Sequence, residues 1–130
     1  IIRAAAAGKP LRVVADQLGS PTWTGDLATA LERLLASAAR GTFHLSGAGS
    51  TSWYGFAQAL LDEVGLRASL TPVTGAEWGA PAPRPSYSVL ANVAWAELGQ
   101  CPLPDWRVSL HRYVGAERQG AIAAAIAAGG

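Results

Sequence analysis

The 130-residue chain has no methionine, a single cysteine and a single lysine. The lone Cys101 excludes a disulfide framework and a cysteine-based zinc site within the chain. It is expected to sit as a small buried hydrophobe. No apolar run approaches the ~20 residues that a membrane-spanning helix needs, and no signal-peptide pattern is visible. The expectation is a cytoplasmic protein with no membrane partner. Charged residues make up only 15% of the chain, ten basic against nine acidic. The bases are scattered, which leaves no stripe for a nucleic acid. With no methionine and Ile1 in first place, the chain is expected to be the C-terminal part of a longer protein, with some of its chemistry upstream.

What is present reads as a globular α/β domain, since half of the residues are hydrophobic and strand-like and helix-like stretches alternate. Ile1 to Ala7 read as a helix end, capped by Gly8 with Pro10 beyond it. Leu11-Arg12-Val13-Val14 is a short β-branched strand. A helix is expected from an N-cap at Thr24 to about Ala38, with Asp26 suiting the dipole of its first turn. Leu27, Ala28, Leu31, Leu34, Leu35 and Ala38 recur at helical spacing there, so that stripe is expected to face a core. Thr42-Phe43-His44-Leu45 reads as a strand, and a helix capped by Thr51 or Ser52 turns Phe56, Ala57, Leu60, Leu61 and Val64 to one side. Gly65 ends it. Ala68 to Val73 reads as a strand with Pro72 near its end or on an edge. Gly79, Pro81, Pro83 and Pro85 exclude regular structure between Gly75 and Pro85. Short helices follow at about Asn92 to Leu98 and from Asp105, the second carrying Trp106, Leu110, Tyr113 and Val114 on one side. The Ala/Ile/Gly tail from Gly120 leaves a terminal helix and an unstructured end both open.

Asp16-Gln17-Leu18-Gly19-Ser20-Pro21-Thr22 joins the first strand to the helix after it. Such loops, at the carboxyl end of a strand and the N-terminus of a helix, are where α/β proteins place ligands; an ordinary capped turn is the competing reading. Gly47-Ala48-Gly49-Ser50-Thr51-Ser52 imitates a dinucleotide-binding glycine turn, but Ser52 replaces the third glycine and no acidic ribose partner follows. A turn with a helix cap is the expectation. A tyrosine proton donor with a lysine four residues later is absent, because Lys9 is the only lysine and position 5 is alanine. His44 and His111 lack a nucleophile motif and metal spacing and are expected to be structural. In Ala82-Pro83-Arg84-Pro85-Ser86-Tyr87-Ser88 two prolines stiffen the chain around Arg84. A guanidinium so held suits a bidentate contact to phosphate or carboxylate, or bonds to carbonyls of its own loop.

Five blocks in order carry a resemblance: Val13 to Trp23; Asp26-Leu27-Ala28; Gly41 to Leu45; Thr51-Ser52-Trp53-Tyr54-Gly55-Phe56-Ala57; and Arg84 to Leu90. Together they resemble the dTDP-4-dehydrorhamnose reductase family of extended short-chain dehydrogenases/reductases, from about Ile1 to Val114. Asp105-Trp106-Arg107 is similar to that family's closing helix. The resemblance implies the C-terminal part of such a protein: the end of the Rossmann domain with the cleft loop (1–45), elements of the small sugar-nucleotide domain (46–119) and an Ala/Gly tail (120–130). It implies NADPH- or NADH-dependent reduction of dTDP-4-dehydro-L-rhamnose to dTDP-L-rhamnose by the full-length protein. Gln17, Ser20, Thr22, Arg84 and Ser88 become the candidate substrate-binding residues, while no catalytic, cofactor-binding or metal-binding residue is assigned in this chain. The cofactor and the Tyr/Lys pair belong upstream, so the chain alone is expected to be inactive and to bind NADPH weakly or not at all. Some members hold Mg²⁺ at a dimer contact through glutamates, which allows Mg²⁺ and a homodimer here, with no residues carried over. Gly55 and Asn92 depart from the family pattern, and both concern helix starts. A non-catalytic regulatory subunit of the same fold and a sugar-nucleotide epimerase or dehydratase are the alternatives.

Overall fold

The computed structural model describes all of residues 1–130. Ile2–Ala6 forms the short helix α1, and the chain then enters strand β1, Leu11–Val14. The loop after it contains a two-residue strand, β2 (Leu18–Gly19), too short for any alternation to show in the sequence. Helix α2 spans Thr24–Ala36, with Trp23 as an N-cap that makes no side-chain bond. It therefore begins one residue earlier than expected and stops two residues short of Ala38.

Strand β3 (Thr51–Ser52) leads into α3, Trp53–Val64, where the Ser52 hydroxyl accepts from the Gly55 N–H and Gly65 closes the helix at φ 73°. That left-handed conformation is one glycine adopts without the Cβ penalty. Strand β4 (Leu70–Val73) lies parallel to β1, Leu11 opposite Leu70 and Val14 opposite Val73. The Leu11 N–H donates to the Ser69 carbonyl and that of Ala15 to the Val73 carbonyl, both at 2.9 Å. The ladder thus runs through odd-numbered residues of β4, and Pro72, with no N–H to give, sits where none is needed. Three more helices follow a single turn, α4 (Gly75–Trp78): α5 (Val93–Glu97), α6 (Trp106–Glu117, capped by Asp105) and α7 (Ala121–Ala127).

The main core lies between α3, α6 and α7, where Leu60, Trp106, Leu110, Val114 and Ile122 are buried together. Each large side chain there contributes on the order of 1.5–3 kcal/mol before entropy is subtracted. The Ala/Ile tail is helical because Ile122 and Ile126 reach this cluster. A smaller cluster of Ala30, Trp95 and Leu103 joins α2 to α5.

Four expectations are corrected. The residues Thr42 to Leu45 form no strand, because strand-like composition needs a paired backbone beside it and none lies there. The expected core stripe of α2 faces a core only in part: Leu34 packs against the cluster of Ala30, Trp95 and Leu103, whereas Leu31 is 42% and Leu35 83% exposed and Asp26 is buried in their place. Cys101 is exposed. One helical turn, α4, does form between Gly75 and Gly79, ahead of the prolines that bar its continuation.

That turn is held by a reciprocal capping box. Glu77 accepts from the Thr74 N–H at 2.7 Å and the Thr74 hydroxyl at 2.9 Å, and these bonds hold its carboxyl below the ordinary value of 4.5, with a smaller attraction from Arg12. A carboxyl depressed in the folded state stabilises fully above its unfolded pKa, and that stabilisation is lost as pH falls through the folded value. Glu77→Gln is expected to flatten the decline of Tm with acidification below about pH 4.5, the ordinary carboxylate range; parallel Tm–pH curves for variant and parent would refute this.

Candidate functional site

The loop from Asp16 to Thr22 is fixed on three sides. Its β2 segment pairs antiparallel with β3, Leu18 opposite Ser52 and Gly19 opposite Thr51. On the other side the Leu18 N–H donates to the Ser86 carbonyl at 2.8 Å, and the Leu18 carbonyl accepts from the Ser88 N–H at 2.9 Å. The Ser88 hydroxyl donates to that same carbonyl at 3.1 Å. At its start, Asp16 Oδ1 accepts from the Gly75 N–H at the head of α4, at 2.9 Å. At its end, Ser20 Oγ donates to the Gly49 carbonyl at 2.8 Å. Thr22 Oγ1 donates to the Ser20 carbonyl at 3.1 Å and accepts from the Gly47 N–H at 2.9 Å. Leu18 thus forms the middle of three short extended segments that lie far apart in sequence.

These segments enclose a crevice of about 660 Å³. Gln17, Ser20, Thr22, Arg84 and Ser88, the five residues singled out from the sequence, all line it. Thr51, Ser52, Trp53 and Phe56 line it too and were not anticipated. Phe56 was assigned to the core face of α3; it is half-buried and does pack against Trp106, at 5.9 Å between ring centroids, while its other side borders the crevice. Trp53 is 61% exposed, and nothing in the sequence pattern marks it. Arg84 and Gln17 also line a second hollow of about 400 Å³ beyond the crevice rim. A third hollow, of about 370 Å³ between Val64, Val114 and Ile126, contains no candidate residue.

The polar groups differ in what they can still offer. Ser20, Thr22 and Ser88 have already given their hydroxyl hydrogens to carbonyls, so they present oxygen lone pairs to a ligand. Arg84 is exposed and makes no hydrogen bond or ion pair of its own, leaving its whole guanidinium fork for an anion. The reading in which it bonds its own loop is not what the structure shows.

The glycine turn is closed against protein. A Cβ at Gly47 would meet the Pro21 carbonyl oxygen, and one at Gly49, φ 76°, would come within 2.6 Å of the Asp105 carboxylate. The amides that would cradle a pyrophosphate are already engaged, Gly47 N–H with Thr22 Oγ1, Ala48 N–H with the Pro104 carbonyl and Gly55 N–H with Ser52 Oγ, and the Asp105 carboxylate beside the turn would repel it. These residues do not fit a nicotinamide cofactor, in line with the reading as turn plus helix cap. No three His, Cys, Asp or Glu side chains converge to hold a metal ion, and no helix is long and apolar enough to cross a membrane. His44 is exposed, and His111 lies 3.0 Å from Glu63 on the surface.

Comparison with known proteins places this geometry. The chain is 44% identical over 114 residues to the spore coat polysaccharide biosynthesis protein SpsK of Bacillus subtilis, covering 88% of the chain and 40% of that protein. It is 42% identical over 113 residues to dTDP-4-dehydrorhamnose reductase of Mycobacterium tuberculosis, covering 85% of the chain and 37% of that protein. The crystal structure of dTDP-4-dehydrorhamnose reductase from Bacillus anthracis in complex with NADP superposes with a TM-score of 0.86 at 34% identity, over 88% of the chain and 41% of that structure. The chain therefore spans about two fifths of the length of these relatives, and the matched stretch is their C-terminal part. The α/β fold is that of the C-terminal portion of an extended short-chain dehydrogenase/reductase. Residues 1–119 match the family described as the RmlD substrate binding domain, and the chain belongs to that family.

Proposed function

We propose that the intact protein carrying this chain reduces the C4 ketone of dTDP-4-dehydro-L-rhamnose to dTDP-L-rhamnose in the cytoplasm, and that this chain supplies one wall of the sugar-nucleotide site. The observation that carries the reading is the convergence of three distant segments on one crevice with an unengaged Arg84 at its rim. The division that goes with it assigns 1–45 to the end of the Rossmann domain and the cleft loop, 46–119 to the sugar-nucleotide domain and 120–130 to the closing tail.

In this reading the Arg84 guanidinium neutralises the diphosphate and fixes its orientation. The hydroxyl oxygens of Ser20, Thr22 and Ser88 accept from sugar or deoxyribose hydroxyls, and the Gln17 amide both donates and accepts. NADPH or NADH, held outside this chain, supplies the hydride to C4, and the proton for O4 comes from a tyrosine outside it as well. The chain alone therefore turns nothing over, and calorimetric titration of residues 1–130 with NADPH should show no micromolar binding.

The deciding assay is NADPH oxidation by the intact protein, which should require dTDP-4-dehydro-L-rhamnose; oxidation independent of it, or none, refutes the reading. Arg84→Ala should raise the KM for that substrate about 10–100-fold, the worth of a charge-assisted contact, with kcat within about twofold because the contact is equal in ground and transition states. An unchanged KM removes Arg84 from the site.

A further inference from the structure

We infer that Arg112 is a positioning residue for the crevice: through Asp26 and Trp23 it sets where the loop from Gln17 to Thr22 stands. Asp26, in the first turn of α2, has a side chain only 6% exposed. Its carboxylate accepts from Arg112 Nη1 at 2.7 Å and from Ser109 Oγ at 2.6 Å, both on α6. A carboxylate withdrawn from water in this way is stable only while paired and hydrogen-bonded. The same guanidinium stacks over the Trp23 ring, 5.1 Å from its centroid. One side chain therefore grips the N-cap residue of α2 and its first turn together.

The grip matters because α2 has no local means of fixing its start. Its N-cap Trp23 makes no side-chain bond, so the position of the first turn is decided by α6. Trp23 directly follows Thr22, whose hydroxyl ties the loop to Gly47. The other end of that tie also hangs on α6: the Trp106 N–H donates to the Ala48 carbonyl, and the Ala48 N–H to the Pro104 carbonyl, each at 3.0 Å. Both sides of the Thr22–Gly47 contact are therefore referred to one helix that does not itself line the crevice. Loss of the Arg112 link frees one side and leaves the other.

The substrate consequence rests on the function proposed above; the structural one does not. In the intact protein, Arg112→Met is expected to speed amide hydrogen exchange across residues 17–24 by about tenfold or more, a local opening, with the Leu60 and Leu61 amides of α3 changed less than about twofold. Arg112→Lys, which keeps a charge on Asp26 but loses the planar stack, should fall between parent and Met, and it decides the matter if Arg112→Met does not fold. In an active enzyme the same variants should raise the dTDP-sugar KM about fivefold with kcat and the NADPH KM within about twofold. Exchange in 17–24 that is unchanged, or that rises no more than in α3, overturns the inference. So does an unchanged dTDP-sugar KM in an active variant with faster loop exchange, because the loop would then not matter to the crevice. Absence of substrate-dependent oxidation in the unmutated protein refutes the proposed function, and the exchange comparison still decides the clamp.

Discussion

Trp106→Ala is expected to cost about 3–5 kcal/mol, the range for removing a large aromatic from a packed core. Trp106 is 4% exposed, belongs to the buried cluster that includes Leu60 of α3 and Leu110 of its own helix, and its ring centroid lies 5.9 Å from that of Phe56. The Arg107 guanidinium covers the ring at 4.5 Å from its centroid, so truncation also removes that cation–π contact. For a chain of this length the loss corresponds to a fall in Tm of about 10–20 °C. Thermal unfolding followed by circular dichroism checks it, and a fall below about 5 °C would show that Trp106 is not central to the packing.

Gly47→Ala is expected to disturb the candidate site more than any other single methyl group. The added Cβ would run into the Pro21 carbonyl oxygen, with the Pro104 carbonyl oxygen 3.6 Å away. Both obstacles are backbone, and Pro21 belongs to the loop that forms the crevice wall, so no side-chain rotation relieves the clash. Overpacking of this kind costs about 1–3 kcal/mol. Here the backbone shift also pulls the Gly47 N–H away from Thr22 Oγ1, now at 2.9 Å. The variant should remain folded, with Tm lowered by about 5–10 °C. Its exchange protection should drop first in residues 17–22. A Tm within about 1 °C of the parent would show that the close approach is not maintained in solution.

Much of the fold was legible locally. Ser52 and Asp105 cap α3 and α6 where their short oxygen-bearing side chains predict, and Gly65 stops α3 where a left-handed residue is needed. Those features depend on neighbours within four residues, and the sequence displays neighbours. The apolar side of α3 was also visible: Ala57, Leu60 and Leu61 are its buried residues, and Leu60 joins Trp106, Leu110 and Val114 of α6 in the main core.

The failures share one cause. Periodicity announces that α2 has an apolar face but not what lies against it, and in this chain Leu31 and Leu35 meet solvent while Asp26 goes inside. Asp26 has a sufficient local reason to exist, as an acid in a first helical turn, and that reason concealed its tertiary partners Ser109 and Arg112, 83 and 86 residues away. Thr42 to Leu45 has strand composition with no strand to pair with, whereas Leu18–Gly19 pairs without strand composition.

The amino-acid order by itself determined the caps of α3 and α6, β1 and β4 as strand-formers, the family and five of the polar residues that line the crevice. Only the tertiary structure decided that these five line one crevice and that the hydroxyl hydrogens of Ser20, Thr22 and Ser88 are already spent. It alone brought Trp53 and Phe56 in beside them and hung the loop on α6. The reason is that a hydrogen bond or a buried ion pair is a property of two atoms in contact, and sequence separation carries no record of contact.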